Sequence, residues 1–233
     1  MTTRRRKKRI KANDSDKTIE QSHLRLKQRI EPKTEGQAEY IDSIQYNDIT
    51  LCCGPAGSGK TLLAVYYASI ALIRGDYNKI ILTRPAIEVG KSLGYLPGSS
   101  DQKLYNYLIP LIENFKKFLG KDAFTFLKAQ GKIEIVPVQF RRGRNFDNSL
   151  IIMDEAENAN YEELKLVLTR IGERSKMILS GDFKQSDIDL DDNDFEFVFK
   201  KLSNLDGVGC IELTNEDIVR NPIISKILIA LGE

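Results

Sequence analysis

Residues 54 to 61 read Gly-Pro-Ala-Gly-Ser-Gly-Lys-Thr. Gly54, Gly57 and Gly59 let successive backbone N–H groups curl around phosphate oxygens with no side chain in the way. Pro55, Ala56 and Ser58 complete the loop. Lys60 is placed to reach β- and γ-phosphates, and the Thr61 hydroxyl to hold Mg²⁺. The plain alternative is a glycine turn joining a strand to a helix. Context argues against it, because the apolar run Ile49-Thr50-Leu51-Cys52-Cys53 leads in and Leu62, Leu63, Tyr66, Tyr67 and Ile70 follow at helical spacing. The pattern predicts a site for a nucleoside triphosphate with Mg²⁺.

A second group of residues can do chemistry on that ligand. Ser149-Leu150-Ile151-Ile152-Met153 is an apolar strand that ends in Asp154-Glu155. In a parallel sheet, ligands bind beyond the carboxyl ends of the strands. Asp154 is therefore expected to hold Mg²⁺ and Glu155 to take a proton from the water that attacks the γ-phosphate. A charged strand end meeting solvent is the bland reading of the same pair. Gln185 follows another apolar strand (176–180) and has the chemistry to bond both a γ-phosphate and a water. Gln37, ahead of the first helix, can pair with both edges of adenine. By chemistry alone, each glutamine is equally an ordinary surface amide.

Composition narrows the class. The 233 residues suffice for one sizeable core, and no apolar run approaches the ~18 residues of a membrane span. The basic start has no apolar stretch behind it, so no secretory leader and no membrane partner are expected. Cys52, Cys53 and Cys210 have no metal-ligand spacing, and three unpaired thiols suit a reducing cytoplasm. His23, the only histidine, lies in a polar segment and reads as a solvated surface group.

The net charge of +2 conceals an asymmetry. Residues 1–33 hold 12 basic and 4 acidic side chains, a net of +8, whereas the remainder holds 23 and 29, a net of −6. Arg4-Arg5-Arg6-Lys7-Lys8-Arg9 has nothing to bury, so residues 1–33 are expected to form a basic, disordered tail. That tail is either simply solvated or a tether to nucleic-acid phosphates.

From Thr34 the chain alternates strands and helices. Strands are expected near 49–53, 79–83, 133–138, 149–153, 176–180 and 208–213. Helices are expected near 35–46, 60–73, 102–119, 160–171, 193–203 and 222–231. The fold class is α/β, a mostly parallel sheet flanked by helices. Asn160 and Glu163 form a capping-box pair with Gly172 as the expected C-cap, and Pro110 is expected to kink or split the 102–119 helix. The turn-rich stretch 84–98 is long enough to be a functional loop.

Taken together these residues resemble the PhoH-like family, phosphate-starvation-inducible P-loop ATPases with a RecA-like core related to superfamily-1 helicases. The resemblance spans residues 34–231, with the domain read as 34–233. It rests on the 54–61 loop, Thr83-Arg84-Pro85-Ala86, Leu93-Gly94-Tyr95-Leu96-Pro97-Gly98, Arg142-Gly143-Arg144 and Met153-Asp154-Glu155-Ala156-Glu157-Asn158. Leu168-Thr169-Arg170-Ile171-Gly172, Ser180-Gly181-Asp182-Phe183-Lys184-Gln185 and Asp217-Ile218-Val219-Arg220-Asn221-Pro222 extend it. Glu157 stands where the family usually has glutamine.

The resemblance implies ATP hydrolysis and, in some relatives, work on RNA. It also implies ring-forming, often hexameric, homo-oligomers. Phosphoryl transfer gains roughly 10³–10⁵ in rate from an arginine finger. With one core per chain, that arginine is expected from a neighbour. Arg220 is the first candidate. Arg142 and Arg144 are the next candidates for that role; with Arg141 they are equally candidates for RNA or single-stranded nucleic acid, and a merely solvated charge cluster is the third reading of this loop. Arg84 and Arg170 read as structural ion-pair partners instead. The competing function is a nucleotide-gated binding or assembly module with little turnover.

Overall fold

A computed structural model describes residues 24–85, 108–136, 145–184 and 193–219. The six described strands are β1 (Ile49–Cys53), β2 (Lys79–Thr83), β3 (Ile133–Ile135), β4 (Ser149–Met153), β5 (Lys176–Gly181) and β6 (Val208–Glu212). The helices are α1 (Glu35–Tyr46), α2 (Lys60–Arg74), α3 (Ile109–Leu119), α4 (Lys121–Ala129), α5 (Tyr161–Leu168) and α6 (Asp194–Leu202). The strands form one sheet in the order β3-β2-β4-β5-β1-β6, and every described pair is parallel. This is the α/β fold of a RecA-like P-loop NTPase.

The strands are apolar on both faces because both faces are covered. Cys52, Ile80, Leu82, Leu150, Ile152 and Ile178 point into a core shared with α1, α2, α3 and α4. Their alternates Leu51, Ile81, Ile151, Met153, Met177 and Leu179 point into a second core under α5 and α6. Every residue of β4 and β5 is buried, whereas the edge strand β6 is half-buried. Each aliphatic side chain so enclosed contributes about 1.5–3 kcal/mol by leaving water. That core holds the carboxyl ends of β1, β2, β4 and β5 at one rim.

Pro110 lies in the first turn of α3, where its missing N–H costs nothing, and residues 102–107 of the expected helix lie outside the described residues. The structure departs from the sequence expectations in three places. A break comes at Gly120 (φ 89°), which separates α3 from α4, a short helix the sequence reading did not foresee. The Asn160–Glu163 capping box is present, but α5 stops at Leu168, with Thr169 as its C-cap in place of Gly172. Residues 24–33 also do not belong with a disordered tail. Leu24, Leu26 and Ile30 pack on the first core, and Lys27 N–H donates to the Phe118 carbonyl at 2.7 Å. The expected 222–231 helix and the greater part of the 84–98 loop lie outside the described residues.

Candidate nucleotide site

The loop after β1 is anchored before it turns. Gly54 N–H donates to Gly181 O on β5 at 3.1 Å, and Leu213 N–H donates to Cys53 O at 2.8 Å. Gly59 (φ 93°) takes the left-handed conformation that starts α2, a backbone a side chain would strain. Ser58, fully buried, folds its hydroxyl back onto the Pro55 carbonyl at 2.8 Å. The Lys60 ammonium donates to the carbonyls of Gly54 and Pro55, so the cation sits across the mouth of its own loop.

The carboxylates reach this loop across one intervening strand. β5 lies between β1 and β4. Asp154, 7% exposed, accepts on Oδ1 from Thr61 Oγ1 at 2.9 Å and from Ser180 Oγ, on β5, at 2.8 Å. The Thr61–Asp154 bond joins the two motifs that the sequence placed 93 residues apart. Ser180, fully buried, has a sequence signal in being a hydroxyl at the carboxyl end of an apolar strand.

Glu155 follows with φ 54°, a left-handed conformation unusual for a residue with a side chain. It is ion-paired with Arg84, at the exit of β2, and Asn158 Nδ2 lies 3.5 Å from its Oε2. Arg84 was expected as a structural ion-pair partner; the structure identifies Glu155 as that partner. Glu157, in the 3-10 turn Ala156–Asn158, is buried. Burial pushes its carboxyl from the usual 4.5 up to about 7, with backbone hydrogen bonds from its own amide and Asp182 opposing and Asp154 adding to the rise. Burial likewise pushes the Cys53 thiol up to about 12, so it is an inert core group.

Gln37 braces the loop from behind. Its Nε2 donates to Ser58 O at 2.9 Å and to Asp217 O at 3.3 Å, while its Oε1 accepts from Lys33 N–H at 2.9 Å. Pairing with adenine would require these bonds to break. Asp217, equally buried, accepts from Thr34 Oγ1 and from Thr214 N–H (2.7 Å), and Val219 N–H donates to Gly57 O at 3.2 Å. The start of α1, the exit of β6 and the glycine loop are thereby one bonded unit. Gln185, Arg141, Arg142, Arg144 and Arg220 lie outside the described residues.

A glycine-rich loop, its lysine and a strand-end carboxylate thus converge at the rim of a parallel sheet. The family model described as PhoH-like protein matches residues 29–231. The chain belongs to the PhoH-like family. The PhoH-like protein of Bacillus subtilis (strain 168) is 45% identical over 200 residues, covering 85% of this chain and 63% of that protein. Protein PhoH of Escherichia coli (strain K12) is 32% identical over 199 residues, covering 84% of this chain and 56% of that protein. This PhoH-like chain therefore spans less than two thirds of the length of these two relatives. Among solved structures, the large terminase of a thermophilic bacteriophage in complex with ADP superposes with a TM-score of 0.51 at 10% identity. That match covers 84% of this PhoH-like chain and 49% of the terminase, and it speaks for the fold alone. No helix among the described residues is long and apolar enough to cross a membrane.

Proposed function

We propose that this PhoH-like chain is a Mg²⁺-dependent ATPase that works on or with RNA as a ring-like homo-oligomer in the cytoplasm. The observation that carries the reading is the convergence of the Thr61 and Ser180 hydroxyls on Asp154, beside the glycine loop. The loop amides bind the phosphates, and Lys60 exchanges its carbonyl partners for phosphate oxygens. Thr61 and Asp154 fit Mg²⁺, since a hard cation bound through one carboxylate, a hydroxyl and substrate phosphates is its usual arrangement. When bound, Mg²⁺ offsets charge on the phosphates. Glu155 takes the proton of the attacking water.

The need for an arginine finger supports a neighbour's participation, with Arg220 the first choice and the Arg142–Arg144 loop the second. The same loop and the basic N-terminal segment are the proposed contacts to RNA phosphates. The test is steady-state phosphate release with and without single-stranded RNA, for the wild type, Lys60→Ala and Glu155→Gln. Lys60→Ala should lose ATP binding while staying folded. Glu155→Gln should bind ATP and hydrolyse it at least ~10²-fold more slowly. Negligible wild-type release, indifferent to RNA, would favour a nucleotide-gated assembly module instead.

A further inference from the structure

We infer that Arg84 is a positioning residue that sets the direction of the Glu155 carboxylate; the inference rests on Glu155 being the base. Arg84 and Glu155 leave adjacent strands at the same level. Thr83 is in register with Met153, and Asp154 N–H donates to Thr83 O at 3.2 Å. Each side chain is thus one or two residues past a fixed ladder, so the distance between their Cα atoms is set by the sheet.

The exposures identify what the pair does. The Arg84 side chain is 12% exposed and that of Glu155 is 36% exposed. A pair with one member this open to solvent adds little to stability. What the guanidinium adds is position: a terminal nitrogen of Arg84 meets Glu155 Oε2 in a charge-assisted contact that ties the carboxylate to the exit of β2. Glu155 has particular need of this. Its left-handed backbone (φ 54°) persists only where the surroundings over-determine it. Lys60 is turned onto the Gly54 and Pro55 carbonyls, so the anchoring charge comes from Arg84. Misplacing a catalytic group by 1 Å costs on the order of 10²-fold in rate. That loss outweighs anything an exposed ion pair contributes to folding.

The test is a double-mutant cycle on the full chain with Arg84→Ala, Glu155→Gln and the combination, followed by single-turnover hydrolysis and binding of a fluorescent ATP analogue. Arg84→Ala should lower kcat about 10- to 100-fold while ATP affinity stays within about threefold. Arg84→Lys should recover part of kcat. In the Glu155→Gln background, Arg84→Ala should cost less than about threefold more, since its effect passes through the missing carboxylate. If the alanine variant melts early, the shorter, neutral but polar Arg84→Gln serves and the same split is expected. Losses that multiply in full across the cycle, an unchanged kcat, or an effect confined to KM would overturn the assignment of Arg84 and leave the base in place. Normal turnover in Glu155→Gln alone would remove the base, and this inference with it.

Discussion

Thr61, at the start of α2, and Ser180, on β5, donate to the same oxygen of Asp154, at 2.9 and 2.8 Å. A buried carboxylate with two hydroxyl donors is held in one rotamer, and each donor removed leaves part of its charge uncompensated. Ser180→Ala is therefore expected to lower stability by about 1–3 kcal/mol. It should also raise the Mg²⁺ concentration needed for half-maximal turnover. Chemical denaturation and a Mg²⁺ titration measure the two effects, and wild-type values in both would show that Asp154 does not depend on this hydroxyl.

Glu157 gives a pH dependence with a definite sign. Below about 4.5 the carboxyl is protonated in both folded and unfolded chains. Between 4.5 and about 7 the unfolded chain ionises first, so stability falls as pH rises, and above about 7 the loss is complete. Glu157→Gln stays neutral throughout. It should match the wild type near pH 4.5 and exceed it at pH 8 by up to roughly 3 kcal/mol, from 1.36 kcal/mol per pKa unit. Urea melts at the two pH values decide this. An equal difference at both would mean that the carboxyl is not the titrating group.

The N-terminal segment divides into two tests. Leu24, Leu26 and Ile30 pack on the first core and Lys27 bonds to Phe118 O, so deletion through residue 33 should lower Tm. Deletion of residues 1–23 alone should leave Tm unchanged and flatten the salt dependence of RNA binding. A salt slope identical to that of the full chain would exclude the arginine run as an RNA contact.

Arg220 and Lys60 offer a test of assembly. Arg220→Ala and Lys60→Ala should each lose turnover. Mixed oligomers should regain a fraction of it, because one variant supplies the loop and the other the arginine. Mixtures no more active than their components would place the arginine's action within its own chain.

How much of this was legible depended on whether the signal was local. Strands β1, β2 and β4 and helix α1 matched their expected limits, because strands buried on both faces read as apolar runs and Thr34 caps α1 through the Gln37 amide. The glycine loop and the strand-end carboxylates were legible for the same reason, since their chemistry is written in consecutive residues. Ser180 and the brace of Gln37 on Ser58 were not, because the strand order sets which side chains meet across β5 and α1. Helix α4 went unseen because nine residues with Phe124 and Leu127 buried give too little periodicity. The tail boundary was misread because three spaced aliphatics cannot reveal a docking surface built by α3.

Gly181, at the end of β5, shares its space with two side chains. A methyl group there would stand 2.7 Å from the Phe195 ring and 2.8 Å from Glu157 Oε2. Positions 157, 181 and 195 therefore draw on a single volume. Among homologous sequences they should change in concert, a larger residue at 181 being admitted only where 157 or 195 has shrunk. Glutamine in place of Glu157 would keep the size and alter the charge alone, so that exchange should leave the other two positions undisturbed.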